Sequence, residues 1–482
     1  MNLYGIVVGL IVVTLLAVSL SRLRATKTKA DYLVAGRSLP AAVLVFTLLS
    51  SWIGSGSLLG GAENAYRHGF AALWQGGGGW VGLFLIYFIA PRARRFAQYT
   101  IPDLLEARYN QTARVLGVIA VLFTYTAITS YQLIGGGDIL HLIFPDALSA
   151  LQGRYILAGF VIVFTAIAGM ASVAYMDVVI GSLTTVTMLV ALPLLTHKAG
   201  GVAAVHAALP ATHFQLFGDL SGIQAIELLL PTCLLMLGNQ SMYQKFFSAK
   251  SARDARNAVL GWVVGTVILE SVIVAIAVVG SALFPAGEVH EHPREILAYT
   301  ALHGLRGNAG LELLGALMMG AIFAKIISTA NNYLFSPATN LVNDVFVRYI
   351  RPNAADKSVL LVSRLMVVLL GVWSLWQSLG TESVLKKSLY AYTIYSAALT
   401  PVILSAFFWK RATAAGAVTS IALGTLVTVG WDSPLVARML PPVIAQRDAI
   451  LPALLVSLIA LVVVSLSTPR PSAAQLAPFA TE

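Results

Sequence analysis

The sequence predicts an all-α polytopic membrane protein with about thirteen transmembrane helices. Of its 482 residues, 58% are hydrophobic and only 11% are charged, with a mean hydropathy of +0.81; soluble chains carry about 25% charged residues. The apolar residues gather in thirteen runs, near 2–20, 41–61, 70–90, 115–134, 155–173, 178–196, 222–238, 259–284, 311–335, 359–379, 389–408, 412–430 and 450–467. A hydrocarbon core takes about 20 residues of helix to cross. The second and seventh runs, five apart, are broken in mid-span by glycine, serine or proline. This composition excludes a water-soluble enzyme and a disordered chain.

The first run, MNLYGIVVGLIVVTLLAVSL, has no basic residue ahead of it and no small-residue cleavage pattern, so it reads as a retained helix rather than a signal peptide. An odd number of spans puts the termini on opposite sides. With the N-terminus outside, 21 of the 31 Lys and Arg residues face the cytoplasm, Lys245 among them, nine face outward, and Lys325 falls within the ninth span. That bias predicts an N-out, C-in topology in the plasma (cell inner) membrane. It also accounts for the net charge of +10 as anchors facing an anionic leaflet. The partner of these basic residues is the lipid bilayer, and nucleic acid is excluded because no basic, aromatic-interleaved soluble domain is present. The lone Cys233 rules out a disulfide scaffold. Residues 1–467 read as one transmembrane domain, and 468–482, TPRPSAAQLAPFATE, as a small, disordered cytoplasmic tail.

The second span reads LVFTLLSSWIGSGSLLGGAENAY and the seventh IELLLPTCLLMLGNQSMYQ. Glycine and proline weaken a helix and free backbone groups, which a membrane tolerates only where they are buried or line a cavity. Small residues also serve close helix packing. The matching positions of the two breaks favour two five-helix halves, about 41–196 and 222–408, of opposite orientation, the plan of a secondary transporter with a midplane site. In the ninth span Lys325, Ser328, Thr329 and Asn332 share one face, suited either to ordinary interhelical hydrogen bonding or to holding a cation. Glu270, in the middle of the eighth span, reads as a satisfied carboxyl, neutral or hydrogen-bonded between helices, with proton carriage or pairing with a lysine as the alternative. GGGG at 76–79 lacks the GK[ST] of a phosphate loop and reads as close packing. His290 and His292 lack a third metal ligand.

Several runs in one order resemble the sodium/solute symporters, a family that includes sugar, choline and proline cotransporters. They are DYLVAGRSLP, SSWIGSGSLLGGAENAY, TIPDLLEARY, SVAYMDVV, GNQSMYQKFFSAKSARDAR, AKIISTANNYLFSPATNLVNDVF and FFWKR. The resemblance implies a LeuT-like, five-plus-five inverted repeat of helices 2–6 and 7–11. It implies a sodium site built from the carbonyls of Ser50 and Ile53 and the ninth-span segment with Ser328 and Thr329, with Asp177 at the start of the sixth helix as a cation-linked carboxylate, a helix cap, or both. The sequence departs from the family at Lys325, where a small residue is usual and its carbonyl helps hold sodium. An ammonium pointing inward would take the cation's place and pair with Asp177; one that snorkels away would leave sodium binding intact. Asn331 and Asn332 replace the small hydroxyl or acidic residues of a second sodium site.

For the solute, Trp52 and Trp80 match positions where choline carriers place cation-binding aromatics, but Asn239 stands where their seventh-helix tryptophan would be. Asn239 and Gln240 resemble the NQ pair of the sugar carriers, and Gly76 stands near where those place a carboxylate. Gln75, Ser57 and Tyr390, Tyr392 and Tyr395 are candidates for the same pocket. The resemblance implies a symporter that imports a small organic solute on a sodium gradient by alternating access, without a cofactor and without covalent chemistry. The alternatives are proton-coupled or cation-independent transport with Lys325 in place of the ion, and a sensor of the same fold.

Overall fold

The computed structural model describes residues 3–23, 28–96, 100–284, 289, 292–380, 383–431, 433–445 and 447–479; His290, Arg24 and Lys27 lie outside this set. Each of the thirteen apolar runs falls on helix. The helices are α1 (Leu3–Leu23), α2 (Ala41–Trp52), α3 (Ala62–His68), α4 (Leu73–Phe96), α5 (Gln111–Ile143), α6 (Ala150–Ile167), α7 (Met170–Lys198), α8 (Gly222–Gly238), α9 (Gln240–Ser248), α10 (Ala252–Leu283), α11 (Ala309–Asn340), α12 (Asp356–Gln377), α13 (Val384–Ala398), α14 (Thr400–Phe408), α15 (Ala414–Trp431) and α16 (Ile450–Ser467). Among the described residues there are eleven helices long and apolar enough to cross a membrane, with two shorter apolar ones at Leu3–Val18 and Ala41–Trp52.

Polar side chains fix where the long helices begin. Asn110, Ser149, Ser221, Ser251 and Asn308 each accept an amide proton from the first turn of α5, α6, α8, α10 and α11, satisfying donors that the helix leaves unpaired. Ser149 and Ser221 add capping boxes with Gln152 and Gln224. The second and seventh spans each divide in two. Ile53 turns extended at the end of α2 (φ −84°, ψ 99°), and a π-helical turn over Gly56–Gly61 leads into α3. Asn239 (φ −59°, ψ 113°) separates α8 from α9.

The packing shows the two-fold relation directly. The pair α2·α7 has its counterpart in α8·α13, α2·α10 in α8·α4, α5·α6 in α11·α12, and α7·α11 in α13·α5. The pairs α5·α11, α4·α10 and α6·α12 map onto themselves. Exchanging the halves therefore returns these contacts to one another, as an internal repeat requires, although α7·α10 and α2·α11 have no comparable counterpart. Outside this core, α1 packs on α7 and α11, while α15 and α16 pair with each other and with α13.

Three expectations are corrected. Asp177 does not cap a helix: α7 starts at Met170 with Gly169 as its cap, so Asp177 lies two turns inside. Lys245 is not a cytoplasmic anchor. The hydropathy of the seventh span ends at Gly238, but α9 continues into the core, and all nine of its residues, Lys245 included, are buried. The tail is helical over Ala473–Phe479. It docks on the bundle through Phe479, whose ring centroid lies 4.9 Å from that of Phe96 and 5.9 Å from that of Phe407, and through Gln475 Nε2 donating to Tyr109 O (3.0 Å).

The GGGG run serves close packing at three of its four positions. A Cβ at Gly76 would meet Glu270 Oε2 at 3.0 Å, one at Gly78 would meet Leu229 O at 2.1 Å, and one at Gly79 would meet Trp52 at 3.0 Å; at Gly77 nothing lies within 4 Å. Gly78→Ala is therefore expected to force α4 from α8 and to destabilise by roughly 1–3 kcal/mol, whereas Gly77→Ala leaves stability level or slightly higher. Thermal unfolding of the two purified variants checks this, and equal shifts would refute it.

Candidate functional site

The break after α2 faces α11. Thr329 Oγ1 donates to Ser50 O (2.9 Å) and approaches Ile53 O (3.3 Å), so the freed carbonyls find a hydroxyl. The approach requires Gly54, because a Cβ there would lie 2.6 Å from Thr329 Oγ1. Asp177, fully buried on α7, accepts from Thr47 Oγ1 (2.5 Å), Ser328 Oγ and Asn332 Nδ2 (3.3 Å). The sequence-predicted cation residues Ser50, Ile53, Asp177, Lys325, Ser328 and Thr329 thus come together between α2, α7 and α11.

Lys325 points into this pocket. Its side chain is fully buried, and Nζ donates to Ser50 Oγ at 2.9 Å; it does not snorkel. Nor does it form an ion pair with Asp177 within 4.0 Å among the described residues. Ser50 Oγ joins the two by donating onward to Asp177 O (3.3 Å). Lys245, also fully buried, reaches the carboxylate through an amide: Nζ donates to Asn332 Oδ1 (2.8 Å) and to Ser241 Oγ (3.0 Å). The pocket holds two lysines and one carboxylate. The signal for Lys245 was its position four residues beyond Ser241 on a stretch whose mixed polarity reads as loop.

These residues do not fit a sodium ion as arranged. Desolvating Na⁺ takes roughly five or six oxygens. Ser50 O, Ile53 O and Thr329 Oγ1 converge, but Ser328 Oγ is turned to Asp177 and an ammonium already occupies the Ser50 hydroxyl. An ion ~5 Å from that ammonium would be repelled by roughly 3 kcal/mol at an effective dielectric of ~20.

On the other side of the same helix is a cavity with about 410 Å³ of atom-free space, of which only about 30 Å³ admits the centre of a water molecule. Trp52, Ser57, Gln75 and Tyr392 line it, as does Glu270. Trp52 and Tyr392 stack with centroids 6.2 Å apart. Glu270 is the carboxyl between helices that the sequence indicated, and the cavity is what the sequence did not show. Its Oε1 accepts from Trp52 Nε1 (2.8 Å), with Ser57 Oγ at 3.5 Å, and its Oε2 accepts from Trp80 Nε1 (2.8 Å). Trp80 thus stands behind Glu270.

Asn239 and Gln240 are not brought to this cavity. Asn239 joins the hydroxyls of Tyr125 (2.8 Å) and Tyr333 (2.9 Å) and caps α9. Gln240 Oε1 accepts from Ile101 N (2.5 Å), while its backbone N–H donates to the Tyr395 hydroxyl (3.1 Å). Tyr390 lines a separate polar pocket with Glu227 and Lys386. Beyond Gln240 the arginine-rich end is tied shut: Arg114 pairs with Asp103, Glu106 and Asp344, and Arg108 donates to Ala412 O (3.1 Å). Burial pushes the Glu106 carboxyl up, but Arg114 and Arg348 together hold it below its ordinary value.

Broken helices at matching points of a two-fold repeat, with a charged pocket and a cavity lined by Trp52 and Glu270 on one of them, define a membrane transporter. The model of the sodium:solute symporter family matches residues 32–424, and the chain belongs to that family. Its members are multi-pass membrane symporters, a class associated with sodium transport, and are not enzymes. The chain is 25% identical to the osmoregulated proline transporter OpuE of Bacillus subtilis (97% of this chain, 95% of that one) and 26% identical to the sodium/proline symporter of Staphylococcus aureus (93% and 90%). The fold is similar to that of a Na⁺-coupled sialic acid symporter in a substrate-bound outward-open state (TM-score 0.80, 17% identity, 98% of each chain). It is also similar to a nucleobase-cation-symport-1 family transporter (TM-score 0.61, 13% identity, 94% and 99%).

The Tyr125 hydroxyl holds both sides of the second break, donating to Asn239 Oδ1 and accepting from Ser241 N at 3.1 Å. Tyr125→Phe strands a buried amide and is expected to cost about 1–3 kcal/mol. Tyr155→Phe, at a half-exposed position, changes little. Thermal unfolding of the pair decides between them.

Proposed function

We propose that this protein carries a small organic solute across the plasma membrane by alternating access, and that Lys325 supplies the positive charge that a sodium ion would otherwise supply at the second helix. The observation that carries the reading is the buried Lys325 ammonium 2.9 Å from Ser50 Oγ, beside the carbonyls that a cation would use. A fixed charge there holds α2 against α11 without an ion from solution. The solute enters the cavity next to Trp52. Movement of the two halves about the breaks releases it once the ties at Gln240, Arg108 and Arg114 open. The proline carriers among the relatives make L-proline and its ring without the carboxylate, pyrrolidine, the first solutes to try.

Uptake into vesicles containing the purified chain tests both parts. Wild-type uptake is expected to be indifferent to a sodium gradient, and Lys325→Ala to lose uptake in sodium-free buffer and regain it with sodium. Sodium-driven uptake in the wild type that survives unchanged in Lys325→Ala would sink the fixed-charge reading.

A further inference from the structure

We infer that the solute is a small organic cation, a protonated or quaternary amine without a carboxylate, recognised by Glu270; this rests on the carrier reading above and names its substrate class. Glu270 is 5% exposed and opens onto the cavity. Both of its oxygens accept indole N–H bonds, and hydrogen bonds accepted by a carboxylate favour its charged form. No Lys, Arg or His lies within 4.0 Å of it among the described residues, so its charge has no counter-ion of the protein's own. A buried, uncompensated carboxylate is costly, and a ligand cation relieves it.

The rest of the wall agrees. Trp52 and Tyr392 line the cavity as a stacked aromatic pair, and aromatic rings attract cations. Gln75, 6% exposed and lining the same cavity, has an Oε1 with no hydrogen-bond partner among the described residues, a second acceptor. Donors are scarce. The two indole N–H groups are spent on Glu270, and the Thr232 hydroxyl donates to Gln75 O (2.8 Å). A zwitterion's carboxylate would seek the amides at the helix break. Three of those are already bonded: Ser55 N to Gln132 Oε1 (2.7 Å), and Ser57 N and Leu58 N to Gly54 O (3.1 and 2.8 Å). With Glu270 in the wall and no lysine or arginine lining it, the cavity repels a carboxylate and accepts a bare amine.

Matched probes test this on the full chain in detergent, with tryptophan fluorescence as the readout because Trp52 and Trp80 both touch Glu270. Pyrrolidine and choline are the cations, L-proline and glycine betaine the corresponding zwitterions, and cyclopentanecarboxylate the anion. The cations are expected to bind at least about tenfold tighter than their zwitterions, and the anion not at all. Glu270→Gln should weaken the cations by about 30-fold or more and erase the preference, while Glu270→Asp keeps it; thermal unfolding confirms that each variant is folded. Should a variant not fold, the wild-type order of affinities decides alone. Zwitterions binding as tightly as cations, binding of the anion, cation affinity unchanged in folded Glu270→Gln, or no cation binding overturns the inference. The carrier reading fails separately, if a bound probe is not moved into vesicles.

Discussion

A backbone carbonyl freed inside a hydrocarbon layer has no water to bond, and the rest of this structure depends on how the freed groups of two broken helices find partners. At the second span the partner is Thr329, which reaches Ser50 O and Ile53 O from α11. At the seventh it is a ring of tyrosines: Tyr125 and Tyr395 take the amides of Ser241 and Gln240, and Tyr243 donates to the freed carbonyl of Leu237 (3.0 Å), while Thr400 adds a bond to Leu234 O (2.7 Å). The glycines follow from the same need. Gly54 admits Thr329, and Gly238 admits Thr400, whose Oγ1 would lie 2.6 Å from a Cβ there. Each break is thus an assembled contact between the two halves.

The architecture was legible because the membrane imposes it through composition. Runs of about 20 apolar residues have one reading in a chain with 11% charge, and two breaks five spans apart announce a repeat. The ninth-helix face was legible too, since Lys325, Ser328 and Thr329 follow helical spacing and a lysine in mid-membrane demands an explanation. What periodicity could not show was which buried groups meet across the repeat. Lys245 was misplaced because hydropathy averages over a window, and a half-helix buried by its neighbours has the composition of a loop. Asn239 and Gln240 carried a resemblance to solute ligands, yet here Asn239 bonds Tyr125 and Tyr333 and Gln240 accepts from Ile101 N. Glu270 stood out only as an acid in an apolar span; its cavity is formed by α2, α4, α8 and α13 as well as its own helix, a juxtaposition that no local pattern encodes. The tail looked disordered by composition, but one phenylalanine at its end packs between two others.

The two buried charge centres have opposite sign and share one turn of helix. Ser50 receives the Lys325 ammonium and Ile53 faces Thr329, while Trp52, between them, donates to Glu270. Any change that moves this turn relative to α11 also moves the indole relative to the cavity carboxylate. Interiors are packed tightly enough to transmit such a shift rather than absorb it. Coupling between pocket and cavity therefore needs no distant pathway: the backbone from 50 to 53 is the connection, and its freedom to move comes from the extended Ile53 that ends α2. A mobile ion at the pocket would make that turn's position depend on the ionic composition outside. On the fixed-charge reading proposed above, a tethered ammonium makes it depend instead on what occupies the cavity, and the event left to drive the change is then neutralisation of Glu270 by the proposed cation.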